Sequence, residues 1–132
     1  MKTTILTGVL FLLLASVVSC NRSDGNETPV AGKGGSAVLK VTPKHHASNI
    51  DSCLVYIKYN TLDAAANYDD STWAVLENGV PVATFSGLKN GNYYLFGRGW
   101  DPAIMQSVRG GIPQPVSEQK TYNLVLPVSE EH

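Results

Sequence analysis

A chain of 132 residues, 43% hydrophobic and with a formal net charge of −1, has room for one ordinary domain around one core. Ten Lys and Arg against eleven Asp and Glu, with no basic block among them, exclude the electrostatic footprint of a nucleic-acid partner. The elements expected along this chain are an export segment, a tether and a single folded unit.

Residues 1–19 open with Lys2 and continue into an apolar run over 5–18. That run is shorter than the ~20 residues a membrane-spanning helix needs, and it has the form of a secretory signal. The protein is therefore expected to leave the cytoplasm. "VVSC" at its end resembles the lipobox of bacterial lipoprotein precursors, with Ser19 as the small residue and Val17 and Val18 in the apolar positions. Val17 stands where leucine is more usual. The resemblance implies lipidation of Cys20, cleavage before it, and attachment to a membrane through acyl chains of the palmitate type. Two or more such chains anchor a protein stably without a span. Asn21, in place of Asp, implies the outer membrane, and Asp24 and Glu27 look like acidic signals for surface export; the periplasmic and the surface face both stay open. Residues 20–35, rich in Gly, Ser, Asn and Pro, read as a flexible tether.

Residues 36–132 read as the folded domain. Short runs rich in Val, Tyr, Thr and Leu predict strands near 36–42, 53–59, 72–77, 80–86, 92–98, 104–109 and 120–127. Asn78-Gly79 and Asn90-Gly91 are tight-turn signals, because Asn and Gly accept positive φ. Alternation puts Cys53, Val55, Ile57 and Tyr59 on one face of their strand, and Tyr122, Leu124 and Leu126 on one face of the last. Only residues 62–68 could form a helical turn. The expectation is an all-β fold, a single seven-stranded antiparallel β-sandwich.

"VATFSGLKNGNYYLFGRGWD" is similar to a segment of transthyretin-like and carboxypeptidase-regulatory-like sandwiches, which share the Ig-like layout. Phe85, Leu88, Gly91 and Tyr93 match its apolar residue and its L-x-x-G-x-Y turn. "LENGVP" replaces the T-D-x-x-G turn usual before it. The resemblance implies a spacer, an adhesin or a carbohydrate-binding module, with no catalytic residues.

Two stretches could carry binding chemistry. In "KVTPKHHASNIDSC", Pro43 is expected to end the first strand, which leaves His45 and His46 on a loop and Cys53 at the start of the next strand. Imidazole and thiolate suit copper or zinc. Adjacent residues in extended chain point apart, so the histidines chelate only if a turn joins them; the competing reading is two solvated histidines beside a buried thiol. With Cys20 lipidated, Cys53 has no partner in the chain, and His46 is its sole candidate base.

The second stretch is aromatic. Trp73, Trp100 and Tyr94, with Tyr68 and with Asp101, Asp69 and Asp70 near them in sequence, are the residue types that stack on sugars and bond their hydroxyls. A glycan or protein ligand is expected there, bound chiefly by Trp73, Trp100, Asp101 and Tyr94, against the alternative that the rings are core. The three aspartates could instead hold calcium, though their spacing matches no known loop. "VRGGIPQP" reads as a strand-ending turn with Arg109 solvated, and "DST" at 70–72 resembles a bacterial O-glycosylation tripeptide. No catalytic triad, phosphate loop or acid pair is present, and no enzyme activity or cofactor is expected. The function expected is that of a lipid-anchored, non-catalytic binding or assembly module of the bacterial envelope, with metal handling through His45 and His46 as the alternative.

Overall fold

The computed structural model describes residues 29–131. The expected signal segment, the lipobox-like stretch and Cys20 lie outside them. The chain forms ten strands: β1 (Lys33–His45), β2 (Ser48–Asn49), β3 (Ser52–Tyr59), β4 (Asp70–Trp73), β5 (Val75–Glu77), β6 (Val80–Leu88), β7 (Gly91–Asp101), β8 (Gln106–Val116), β9 (Thr121–Pro127) and β10 (Ser129–Glu130). None of the described residues is helical, and residues 62–68 run as an irregular loop between β3 and β4.

The strands divide into two sheets. One carries β2, β1, β6 and β5, with β9 alongside β1; the other has the order β10-β8-β7-β3-β4. The expected sandwich is present in outline, with ten strands where seven were expected. Its pairs are antiparallel except for β1 and β9, which run parallel from Val38 opposite Thr121 to Lys44 opposite Pro127. Asn78 and Gly79, both at positive φ, close the β5–β6 hairpin as expected. Asn90-Gly91 does something else: β6 and β7 belong to different sheets, so this turn carries the chain across the sandwich.

Period-two burial builds the core. Ala37, Leu39 and Val41 of β1, Cys53, Val55 and Ile57 of β3, Ala83, Phe85 and Leu88 of β6, Tyr93 and Leu95 of β7, Val108 of β8 and Leu126 of β9 are all buried between the sheets. Tyr122 and Leu124 share the inward side of β9 with Leu126, as their spacing predicts.

Two strand ends differ from expectation for reasons visible in the ladder. β1 does not stop at Pro43 but continues to His45. The Pro43 carbonyl accepts the Ile50 N–H on the β2 side, where the β6 ladder has already ended at Val41, so the missing proline N–H removes no sheet bond. β8 likewise runs through Gly110, Gly111, Pro113 and Pro115 instead of turning there. On its second side only Val108 and Arg109 are paired, which leaves the prolines along an open edge. The two glycines are packing positions. A Cβ at Gly110 would lie 2.2 Å from the Pro127 carbonyl oxygen, and one at Gly111 would lie 2.4 Å from the Tyr94 hydroxyl.

At the N-terminal side, residues 31–35, assigned by composition to the tether, pack into the fold. Ala31 is buried, its N–H donating to the Asn60 side chain at 2.8 Å, and the Gly32 N–H donates to the Tyr93 hydroxyl at 2.8 Å. Tyr93 is fully buried and its hydroxyl donates to the Lys89 carbonyl at 2.8 Å. Leu88, Gly91 and Tyr93 thus form a closed end of the core where the chain enters.

Candidate functional site

β7 is eleven residues long, roughly 35 Å, so Tyr93 and Asp101 mark opposite ends of the sandwich. At the Asp101 end stands His45. It is the last residue of β1 and is in phase with Leu39, Val41 and Pro43, so its ring turns inward and is only 6% exposed. Its Nδ1 lies 2.7 Å from Asp101 Oδ2, and its Nε2 lies 2.9 Å from Glu130 Oε1. This corrects the reading of two solvated loop histidines for His45, whereas His46 is exposed in the turn. It also removes Asp101 from the expected sugar site, because Asp101 faces the interior and is 5% exposed.

Asp101 is fixed from both sides. Its second oxygen accepts the Ala103 N–H at 2.9 Å, in the turn between β7 and β8. Glu130 is delivered by a change of sheet: β9 runs along β1, the Val128 N–H donates to the Lys44 carbonyl, and β10 then joins β8 on the opposite sheet. His45 of one sheet is thereby bonded to carboxylates of the other. The Asp101 and Glu130 bonds hold the His45 pKa above its ordinary value, and His45 in turn lowers that of Asp101. Glu130 is also lowered, by its own backbone N–H first and by His45 second.

His46 occupies the tight turn to β2 at φ 57°, and its ring centroid is 4.5 Å from that of His45. The turn that chelation requires is therefore present. One donor atom each from His45, His46 and Glu130 lie within 4.8 Å of one another. Cys53, the third expected ligand, is not in this cluster. It is wholly buried on the inner face of β3 beneath Gly97, and burial pushes its thiol up to about 11, so it stays protonated at neutral pH.

The aromatic residues gather on the outer face of the second sheet. Directly opposed residues of paired strands share a face, so the registers Ser71–Tyr56–Phe96–Gly111 and Trp73–Leu54–Arg98–Arg109 form two adjacent outward rows. Tyr94 lies one row further along β7. Tyr68, from the 60–69 loop, stacks on Phe96 with centroids 5.8 Å apart and planes 12° from parallel, and it also meets Tyr56. Between this loop and the sheet lies an open groove of about 800 Å³, lined by Tyr56, Tyr68, Tyr94, Phe96, Arg98, Arg109 and the acids Asp69 and Asp70.

Trp73 and Trp100 are not core residues: they are 58% and 44% exposed on the same face, beside the groove and not in its lining. Asp69 is used structurally, accepting the Tyr59 N–H at 2.7 Å and lying 3.7 Å from Lys58. Asp101 stands apart from Asp69 and Asp70, at the end of β7 and bonded inward, so the three do not form a calcium loop. Arg109 is 3.9 Å from Glu131, whereas Arg98 lies over the Phe96 ring at 5.9 Å and has no acidic partner among the described residues.

Of the four residues expected to bind chiefly, Tyr94 lines the groove, and Tyr68, Asp69 and Asp70, expected beside them, line it as well. Tyr56, Phe96 and Arg98 were missed, although alternation along β3 and β7 puts each of them on the outward side. A scan against protein-family models, curated proteins and solved structures returns no match to this chain.

Proposed function

We propose that this is a lipid-anchored, exported, non-catalytic binding module with a transthyretin-like sandwich, and that its ligand is a glycan held in the aromatic groove. The observation that carries the reading is the groove itself: four rings, Tyr56, Tyr68, Tyr94 and Phe96, flank Arg98, a guanidinium with no acidic partner among the described residues, on an open sheet face. Aromatic faces stack on the C–H surfaces of sugars, and Arg recognises carboxylates or sulfates in a planar, two-bond geometry. An acidic oligosaccharide suits this combination better than a neutral one. Trp73 and Trp100 extend the same surface and would contact a longer chain.

The lipid anchor rests on Cys20 and its neighbours. The described chain enters the sandwich at the Tyr93 end, and the groove runs along the face of the second sheet. The resemblance to transthyretin-like domains is supported by Leu88, Gly91 and Tyr93, which are buried together at one turn.

The test is titration of the full chain, in detergent, with acidic and neutral oligosaccharides, followed by tryptophan fluorescence and calorimetry. Phe96→Ala and Arg98→Ala are each expected to weaken acidic-glycan binding tenfold or more; Arg98→Ala should leave thermal stability nearly unchanged, while Phe96→Ala lowers it because the half-buried ring carries Tyr68. Binding that both variants leave intact, or no glycan binding at all, sinks the reading.

A further inference from the structure

The His45 end of the sandwich carries a second site with different chemistry. We infer that His45, His46 and Glu130 hold one divalent transition-metal ion, zinc or copper, with Asp101 orienting His45 from behind.

Asp101 accepts from His45 Nδ1, so the nitrogen left to face outward is Nε2. That is the carboxylate–histidine–metal arrangement, in which the second-shell acid fixes both the tautomer and the plane of the ligating ring. Here the orienting acid is itself immobile, because both of its oxygens are bonded and it is buried. The outward nitrogen meets a carboxylate and a second imidazole, a donor set that selects zinc or copper over magnesium or calcium.

The spacing is right for an ion. Bonds of about 2.0–2.1 Å in tetrahedral geometry place donor atoms roughly 3.3 Å apart. His45 Nε2 and Glu130 Oε1 are at 2.9 Å, and the three donors lie within 4.8 Å of one another, so side-chain adjustments of at most about 1.5 Å close the site. Charge agrees as well: a dication neutralises the two carboxylates that flank His45, and the proton shared by Nε2 and Glu130 in its absence passes to solvent as the ion enters.

His46 supplies an independent sign. The His46 backbone is left-handed at φ 57°, a conformation that Gly and Asn adopt most readily. The conformation brings the second imidazole beside the first instead of on the opposite side of the strand. Three protein ligands leave one position for water or for a partner's side chain.

The experiment is calorimetric titration of the chelator-stripped full chain in detergent with Zn²⁺ alone and Cu²⁺ alone, with Co²⁺ absorption as a spectroscopic reporter of the site. One ion per chain is expected, with affinity falling at least tenfold in both His46→Gly and Glu130→Gln and holding in Cys53→Ser. His46→Gly suits the left-handed turn and leaves the His45–Asp101 bond in place, so circular dichroism should show an unchanged fold. No stoichiometric binding, or binding that His46→Gly or Glu130→Gln leaves intact, overturns the site. Either result is independent of the groove, which shares no residue with it.

Discussion

The two ends of the sandwich close in opposite ways. At the Tyr93 end, a ring buried in one cluster with Leu88, Phe85 and Ala31 meets Tyr59 edge-on, and its hydroxyl is satisfied by the backbone at Gly32 and Lys89. At the Asp101 end, His45 is held between two carboxylates drawn from the opposite sheet. An apolar end with one satisfied hydroxyl is stabilised by burial and is indifferent to pH near neutrality. An ionic end stabilises only while its protons are distributed correctly, and it presents donors to an ion. The contrast teaches that the first end fastens the fold where the described chain begins, while the second is fastened by groups that can also bind.

Leu88→Ala should test the apolar end most severely. Removing a fully buried leucine side chain is expected to cost about 2–5 kcal/mol, read as a lowered denaturant midpoint. Retention of wild-type stability would mean that this end is not a core. Tyr93→Phe probes the same end more gently: the ring stays, but the Gly32 N–H loses its buried acceptor, for about 1–3 kcal/mol. A neutral outcome would show that water replaces the hydroxyl there.

The ionic end should show itself in the pH profile. His45 is raised above its ordinary 6.5, so its contribution is complete below pH 6.5 and is lost as pH rises through its folded value. Asp101 and Glu130 are lowered, so their contributions are present above the ordinary 3.8 and 4.5 and are lost as pH falls through their folded values. Between those limits the lock is intact. Melting temperature in chelator should therefore decline as pH is raised from 6.5, and His45→Gln should flatten that limb. Equal slopes in the two proteins would detach His45 from the stability of this end, and Tyr93→Phe should leave the slope alone.

How much of this could be read from residues differs between the ends. Leu88, Gly91 and Tyr93 stand within a few positions of one another, and a turn motif with alternation on both sides is local information. The same is true of the inward faces of β3 and β9 and of the Asn78-Gly79 hairpin. The His45 cluster joins positions 45, 101 and 130, which no local pattern connects. Its one sequence signal was the phase of His45 with Leu39 and Val41, and that was hidden by taking Pro43 as a stop. Gly110 and Gly111 misled similarly: glycine pairs usually mark turns, and here they admit the Pro127 backbone and the Tyr94 ring. The groove lay between. Alternation exposes Tyr56, Phe96 and Arg98, yet only the fold of the 60–69 loop brings Tyr68 over Phe96 to make a wall.

What the sequence determined by itself was the all-β class, the two-faced strands and the L-x-x-G-x-Y end, because side-chain alternation and turn chemistry act over a few residues. What only the tertiary structure decided was which distant strands became neighbours. The parallel pairing of β9 with β1 and the crossing of β10 to β8 carry Glu130 to His45. These depend on how two sheets stack and on where the last strand changes sides, a matter of whole-core packing that no short stretch of the chain encodes.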